Sequence, residues 1–145
     1  MAQIPLISSD LAGPLGAIHL PRLWSKVLLS SKGQLEEGYD ECGMGFDQMV
    51  LDGLSIDRDA AVGYIKANLP SYPQFENWVV GQRGGSIPQS EIDASNAAIR
   101  GYNHADDTRG EILSAAGITD DDSILDAVNL NNLDDWTELH TAVAG

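Results

Sequence analysis

The chain of 145 residues is long enough for one folded domain, and its 22 acidic against eight basic residues give a formal net charge of −14. The electrostatic field of so acidic a protein repels phosphate groups, which argues against nucleic acid or an anionic membrane as a partner. One cysteine excludes an internal disulfide framework, and no signal-peptide pattern or apolar run of the ~20 residues that span a bilayer occurs, so we expect a soluble cytoplasmic protein.

Residues 1–19 are predicted to form an extended arm. Four residues that disfavour helix, Pro5, Gly13, Pro14 and Gly16, interrupt every apolar run in this segment. Its apolar residues are nevertheless too frequent for a disordered tail. We therefore expect the arm to pack against the helices and to cover part of the core.

The first two helices are marked by apolar periodicity and by glycine. A helix is predicted from Leu20, with Gly33 as its stop signal. A shorter helix is predicted over Phe46–Asp52, with Gly53 as a left-handed cap. Both segments place apolar residues on one face at helical spacing.

The next segments are less uniform. Asp57 is a natural N-cap for a third helix, which Pro70 should end. Pro73 stands near the start of what reads as a brief helical turn, followed by Trp78–Val80, which is compatible with a short strand. Three glycines then open a loop.

Capping signatures divide the remaining chain. Ser90 and Thr108 each precede an acidic residue at the capping-box position, and Gly117 can act as a left-handed Schellman residue. Thr119 and Asn132 repeat the signature before two further apolar stretches. With seven or eight short helices and no long alternating strand pattern, the sequence predicts one compact all-α domain over residues 1–145.

The segment Gly38–Leu54 concentrates acids and glycines around the only cysteine and predicts a shaped site. Cys42 is a candidate nucleophile, but the acids just before it disfavour a thiolate, so an inert packing thiol is favoured. In the loop Gly81–Gly85, Arg83 offers a scarce positive charge that suits an anionic small ligand. The alternative is that this loop is only a mobile connector.

The sequence predicts no metal site and no cofactor. His19, His104 and His140 lie far apart and lack the spacing of paired metal ligands. The triplet Asp120–Asp122 lacks the glycine and glutamate of a calcium loop, and we interpret it as the acidic first turn of a helix.

Several segments together carry a family resemblance. His19–Arg22 enters an amphipathic helix with Leu-Pro-Arg, Ser31–Leu35 supplies a Gly-x-Leu element, and Phe46–Asp47 begins an aromatic helix followed by Gly53–Ile56. In these features, and more loosely in Ile87–Ile92, the chain resembles DUF5069-type proteins, a small bacterial family of unknown function. The resemblance implies a helical soluble fold and supplies no reaction or catalytic set.

Two functional hypotheses follow. The first is a non-catalytic binding or regulatory module for a small polar ligand or a protein partner. The second is a small cofactor-independent enzyme that performs acid–base chemistry, such as hydrolysis, elimination or isomerisation. The sequence leaves the choice between them, and the oligomeric state, open.

The candidate site residues form a catalytic set and a ligand-binding set. For catalysis, His19 is paired with either Asp40 or Glu41. The predicted ligand-binding residues are Tyr39, Cys42, Arg83, Trp24 and Trp78. The enzyme hypothesis places them in a cleft between the arm, the first helix and the segment Gly38–Leu54, with Arg83 orienting the substrate.

Overall fold

The computed structural model describes all 145 residues and confirms the all-α prediction. Its only β-type pairings are three isolated bridges. The seven helices are α1 (Leu20–Ser31), α2 (Phe46–Gly53), α3 (Arg58–Asn68), α4 (Tyr72–Gln82), α5 (Gln89–Arg100), α6 (Asp106–Ala116) and α7 (Ala127–Ala144). None of them combines the length and the apolar character needed to cross a bilayer.

The predicted starts of α1, α2 and α3 are confirmed, whereas α4 is longer than predicted. The Asp57 carboxylate accepts the Ala60 N–H at 2.9 Å and caps α3. In α4 a capping box between Ser71 and Gln74 starts eleven residues of helix, so the expected brief turn was wrong. Trp78–Val80 lies inside this helix and is not a strand.

Gly53 has a different role from the predicted one. It lies inside α2, and the left-handed residue after the helix is Ser55, with φ 55°. A Cβ atom on Gly53 would approach the Ser95 hydroxyl oxygen of α5 to 2.6 Å. Glycine is therefore needed here for the close packing of α2 on α5, because any side chain would collide with that helix.

Two predicted N-caps were wrong, one by two residues and the other by three. Helix α5 begins at Gln89 with Pro88 as its N-cap, so Ser90 is already inside it. Helix α6 begins at Asp106, two residues before Thr108. Its end follows the prediction, since Gly117 is left-handed with φ 73° and the next N–H, that of Ile118, bonds to the Leu113 carbonyl.

The C-terminal region contains one long helix where two short ones were predicted. Asp126 caps α7, which runs for 18 residues. The triplet Asp120–Asp122 precedes it in a loop and does not start a helix. Asp121 accepts the Ser123 N–H, whereas Asp120 and Asp122, together with Asp106, form ion pairs with the buried guanidinium of Arg109. These acids compensate a buried positive charge, which explains their clustering better than a helix dipole does.

The core surrounds α1, whose Leu20, Leu23 and Val27 are fully buried. The N-terminal arm lies against the helices and ends in this core. Asn96 of α5 holds the arm, because its side chain accepts the Ile18 N–H at 3.0 Å and donates to a carbonyl of the arm at 2.8 Å. The arm thereby delivers the next residue, at the start of α1, to the site described below.

Candidate functional site

A polar cavity of about 280 Å³ lies between the start of α1, the loop before α2, and α7. Only four of its sixteen lining residues are hydrophobic. They are His19, Arg22, Lys26, Gly38, Tyr39, Asp40, Gly43, Gly45, Phe46, Asp47, Tyr102, His104, Ala127, Asn131, Asp134 and Asp135. Charged side chains are rare in ordinary cores, so their density in this concave site makes it the candidate functional site.

His19 is held in an unusual backbone conformation at one wall of the cavity. As the N-cap of α1 it has φ 71°, a left-handed value that few non-glycine residues adopt. Its Nδ1 lies 2.9 Å from the Ser9 hydroxyl and its Nε2 lies 2.7 Å from Asp47. Burial lowers the pKa of His19 more than the Asp47 hydrogen bond raises it. We therefore assign a neutral ring that donates from Nε2 and accepts at Nδ1.

Asp47 is the centre of a buried polar cluster. It accepts hydrogen bonds from His19 at 2.7 Å, from Lys26 Nζ at 2.5 Å and from the Gly43 N–H at 2.7 Å. Burial alone would raise the pKa of Asp47, but the hydrogen bond from His19 and the charge of Lys26 lower it to about 2. The carboxylate is therefore ionised at neutral pH and neutralises the buried ammonium.

A second buried ion pair joins distant parts of the chain. Arg22 forms a two-point contact with Asp135 of α7, at 2.7 and 3.1 Å. The same guanidinium donates to the carbonyls of Pro5 and Ile7 in the arm, at 2.7 and 2.9 Å. The Tyr39 hydroxyl donates to Asp135 at 3.0 Å, and burial together with that carboxylate raises the pKa of Tyr39. Arg22 thus connects the arm, α1 and α7.

Two carboxylates at the cavity have no partner within the protein. Asp40 and Asp134 line it but form neither an ion pair nor a hydrogen bond through their side chains. Partial burial, then the charges of Glu138 and Asp135, raise the pKa of Asp134. Asp134 is partly buried, so its charge costs free energy that a cationic ligand would offset, whereas Asp40 is exposed to solvent.

One wall of the cavity is a row of edge-to-face rings. The Phe46 ring lies 5.4 Å from the His19 ring and 5.8 Å from the Tyr102 ring, centroid to centroid. Tyr102 in turn contacts His104 at 6.2 Å, and His104 Nε2 is 2.8 Å from the Asn131 side-chain oxygen. These contacts fix the orientation of aromatic groups beside the unpartnered carboxylates.

The structure brings three of the sequence-predicted site residues together and leaves five elsewhere. His19, Tyr39 and Asp40 line the cavity, together with further residues of the segment Gly38–Leu54. The predicted site residues that do not line it are Glu41, Cys42, Arg83, Trp24 and Trp78. His19 is bonded to Asp47, so the proposed pairing with Asp40 or Glu41 is absent.

Each of the two charged residues outside the cavity has a partner of its own. Glu41 accepts from Ser30 at 2.7 Å and pairs with Lys66 at 2.8 Å. Arg83 pairs with Glu91 at 2.7 Å and donates to the Leu54 carbonyl at the same distance. Arg83 therefore links the end of α2 to the first turn of α5, and it does not line the cavity.

The remaining predicted residues are part of the packing. Cys42 is buried in the core cluster, and burial raises the pKa of its thiol, in agreement with the expected inert role. Trp24 donates its indole N–H to the Pro70 carbonyl at 2.9 Å. Trp78 stacks on Tyr64 at 4.8 Å. Both tryptophans pack against the core cluster.

Sequence reasoning missed five charged residues of the site. Arg22 and Lys26 follow His19 by three and seven positions, which places all three on one face of α1. That spacing was a usable signal. Asp47 and Asp135 had none, because their partners are 21 and 113 residues away in the chain. Asp134 had none either, because α7 reaches the cavity only through the tertiary fold.

No group of three or more His, Cys, Asp or Glu side chains is arranged to hold a metal ion. In particular, His104 is bonded to Asn131, while Asp106 pairs with Arg109. Comparisons with models of protein families, with curated proteins and with solved structures found no match. The resemblance to the small bacterial family therefore stays a prediction.

We expect the His19 ring to stay neutral below pH 6.5, the model-compound pKa of histidine, because burial disfavours the charged form. The unfolded chain takes up this proton first as the pH falls, so His19 lowers the free energy of unfolding progressively below pH 6.5. Nitrogen-15 NMR of the ring should show a neutral Nε2–H tautomer at pH 6. An imidazolium spectrum at that pH would contradict the assignment.

Proposed function

We propose that the protein binds a small polar cation, of the class of protonated amines, in the cavity between α1, the loop before α2, and α7. The single observation that carries this proposal is the pair of unpartnered carboxylates, Asp40 and Asp134, at the cavity. An ammonium group supplies both the charge and the hydrogen-bond donors that these oxygens lack.

The charge balance of the cavity supports a cation over an anion. The two positive side chains, Arg22 and Lys26, are already neutralised by Asp135 and Asp47 at 2.7 and 2.5 Å. An anionic ligand would have to displace one of these buried partners. The formal net charge of −14 also raises the local concentration of cations around the whole molecule.

The size and the wall of the cavity limit the ligand further. A volume of about 280 Å³ is at the lower end of the range for small-molecule sites, which favours a compact ligand of few heavy atoms. Phe46 and Tyr102 present aromatic surface beside the carboxylates. Aromatic faces attract ammonium groups by up to about 2 kcal/mol in desolvated sites.

Acid–base catalysis is a second candidate, and Asp134 is the observation that favours it. The pKa of this carboxyl group is shifted upward, toward neutral pH, and a proton-transfer group works best when its pKa is near the working pH. His19 is a poor base by comparison, because both of its ring nitrogens already have partners. If the protein is an enzyme, we expect Asp134 to accept the proton and His19 to position Asp47.

Binding is tested by calorimetry and thermal shift with a panel of small primary amines, their neutral alcohol analogues and carboxylates of equal size. We expect stabilisation by amines only. Asp134→Asn should weaken binding by about tenfold, since hydrogen bonds to charged groups contribute about 1.5–3 kcal/mol.

Glu111→Gln is the matched control. It removes the same unit charge from an exposed residue of α6 that does not line the cavity. We expect this variant to change affinity less than threefold, because a solvent-exposed charge acts through screened water. Equal weakening by both substitutions would mean that only the overall negative charge of the protein attracts the amine, which would contradict a specific site. Preferential binding of carboxylates would overturn the proposal.

A further inference from the structure

Every apolar side chain larger than alanine that lines the cavity is aromatic. The four hydrophobic lining residues are Ala127 and three aromatic residues, Tyr39, Phe46 and Tyr102. No leucine, isoleucine, valine or methionine lines the cavity. Aliphatic side chains would serve a neutral alkyl group equally well, whereas aromatic rings also attract positive charge through their π faces. The cavity wall therefore suits apolar groups that are attached to a cation.

Two of these rings have surface that a ligand can reach. Phe46 is buried and packs edge-to-face with two other rings, but Tyr102 is 47% exposed. Tyr39 takes part in none of the ring-to-ring contacts of the protein. Its hydroxyl donates to the Asp135 carboxylate at 3.0 Å, which adds electron density to the ring and strengthens its attraction for a cation.

The carboxylates of the cavity call for only one N–H on the ligand nitrogen. Asp134 is partly buried and has no partner, so it needs one donor. Asp40 is exposed, and water can satisfy its oxygens. Asp47 and Asp135 already accept hydrogen bonds from basic side chains. The remaining substituents of the nitrogen can therefore be apolar without leaving a buried acceptor unpaired.

Glycines leave space for such substituents beside the carboxylates. Gly38, Gly43 and Gly45 all line the cavity. A Cβ atom on Gly43 would lie 3.6 Å from a carboxylate oxygen of Asp40, and one on Gly38 or Gly45 would meet no atom within 4 Å. A nitrogen with methyl groups is wider than an unsubstituted ammonium, and the loop before α2 leaves room for it.

We propose that the cation bound in this cavity is a methylated tertiary ammonium ion, with its single N–H donated to Asp134 and its methyl groups on Tyr39 and Tyr102. This inference rests on the proposed function, because it specifies which protonated amine the cavity selects. Methyl groups carry part of the positive charge to the ring faces, and they lower the cost of removing the ion from water.

The test is calorimetry at pH 7 with four cations that differ only at nitrogen: ethanolamine, N-methylethanolamine, N,N-dimethylethanolamine and choline. We expect affinity to rise with each methyl group to about tenfold at N,N-dimethylethanolamine. It should fall again at choline, which has no N–H to donate. The neutral analogue 3-methylbutan-1-ol has the shape of N,N-dimethylethanolamine without its charge, and it should bind at least about tenfold more weakly.

Variants at Tyr102 test the contact with the ring. Tyr102→Leu keeps an apolar side chain but removes the ring, so the preference for N,N-dimethylethanolamine over ethanolamine should fall about threefold. Tyr102→Phe keeps the ring and should keep the preference. Trp136→Leu is the control, because Trp136 is an exposed aromatic residue that does not line the cavity. A ratio of two affinities within one variant does not depend on how stable that variant is.

The outcomes separate this inference from the function on which it rests. If ethanolamine binds as tightly as N,N-dimethylethanolamine or more tightly, the inference is wrong and the proposed function stands. Binding of none of the four cations would overturn both. Three further results would each contradict the inference alone: equal binding of 3-methylbutan-1-ol, equal binding of choline, or an unchanged preference in Tyr102→Leu.

Discussion

Replacing Asp47 with alanine should destabilise the protein by about 3–5 kcal/mol, the range observed when one partner of a buried ion pair is removed. Asp47 is 3% exposed and accepts hydrogen bonds from His19, Lys26 and Gly43. The substitution leaves a buried ammonium without a counter-charge and a ring N–H without an acceptor. Urea denaturation followed by circular dichroism measures the change in the free energy of unfolding.

A control and a rescue separate the charge from the loss of volume. Asp52→Asn alters an exposed carboxylate of the same helix and should cost less than about 0.5 kcal/mol. Adding Lys26→Met to Asp47→Ala removes the stranded charge, so the double variant should be more stable than Asp47→Ala alone. If the second substitution brings no recovery, the buried ion pair is not the source of the effect.

The helices were largely predictable because their signals are local. Asp57, Gly117 and the apolar stripe after Leu20 act within one or two turns, and each appears in the structure as predicted. The errors arose where a contact between residues far apart in the sequence determines the local structure. Residue 53 is a glycine because Ser95 of another helix approaches it, and Asp120 and Asp122 lie close together because both pair with the buried Arg109.

The site was predictable only in part, for the same physical reason. The segment Gly38–Leu54 supplies much of the cavity wall, and its density of glycines and acids was visible in the sequence. Asp134 comes from α7 and reaches the cavity only through the tertiary fold. Arg83 was predicted because positive residues are rare in this chain, but their rarity does not show where Arg83 lies in the fold. In the structure Arg83 forms an ion pair with Glu91.

The second large effect is expected at Arg22. Arg22→Met keeps much of the side-chain volume but leaves Asp135 without its counter-charge and two arm carbonyls, those of Pro5 and Ile7, without their donor. We expect a loss of about 3–5 kcal/mol in the free energy of unfolding, because all of these groups are removed from bulk water. Denaturant titration at pH 7 measures it.

The exposed ion pair between Arg100 and Asp10 supplies the matched control. Its side chains are 57% and 52% exposed, and Arg100→Met should cost less than about 1 kcal/mol. Both arginines hold the arm to a helix, but Arg22 is buried and makes four hydrogen bonds, whereas Arg100 is exposed and makes one. A cost at Arg22 no larger than that at Arg100 would contradict the assigned role.

Arg22 also determines whether the arm stays in place, which a local measurement can detect. The guanidinium is the donor that joins the arm carbonyls to α1 and, through Asp135, to α7. In Arg22→Met we expect thermolysin to cleave within residues 1–18 at least tenfold faster than in the wild type, under conditions where both remain folded. Since the arm positions Ser9 against His19, its release should also broaden the NMR signals of the His19 ring. Unchanged cleavage with a reduced free energy of unfolding would limit the role of Arg22 to the ion pair with Asp135.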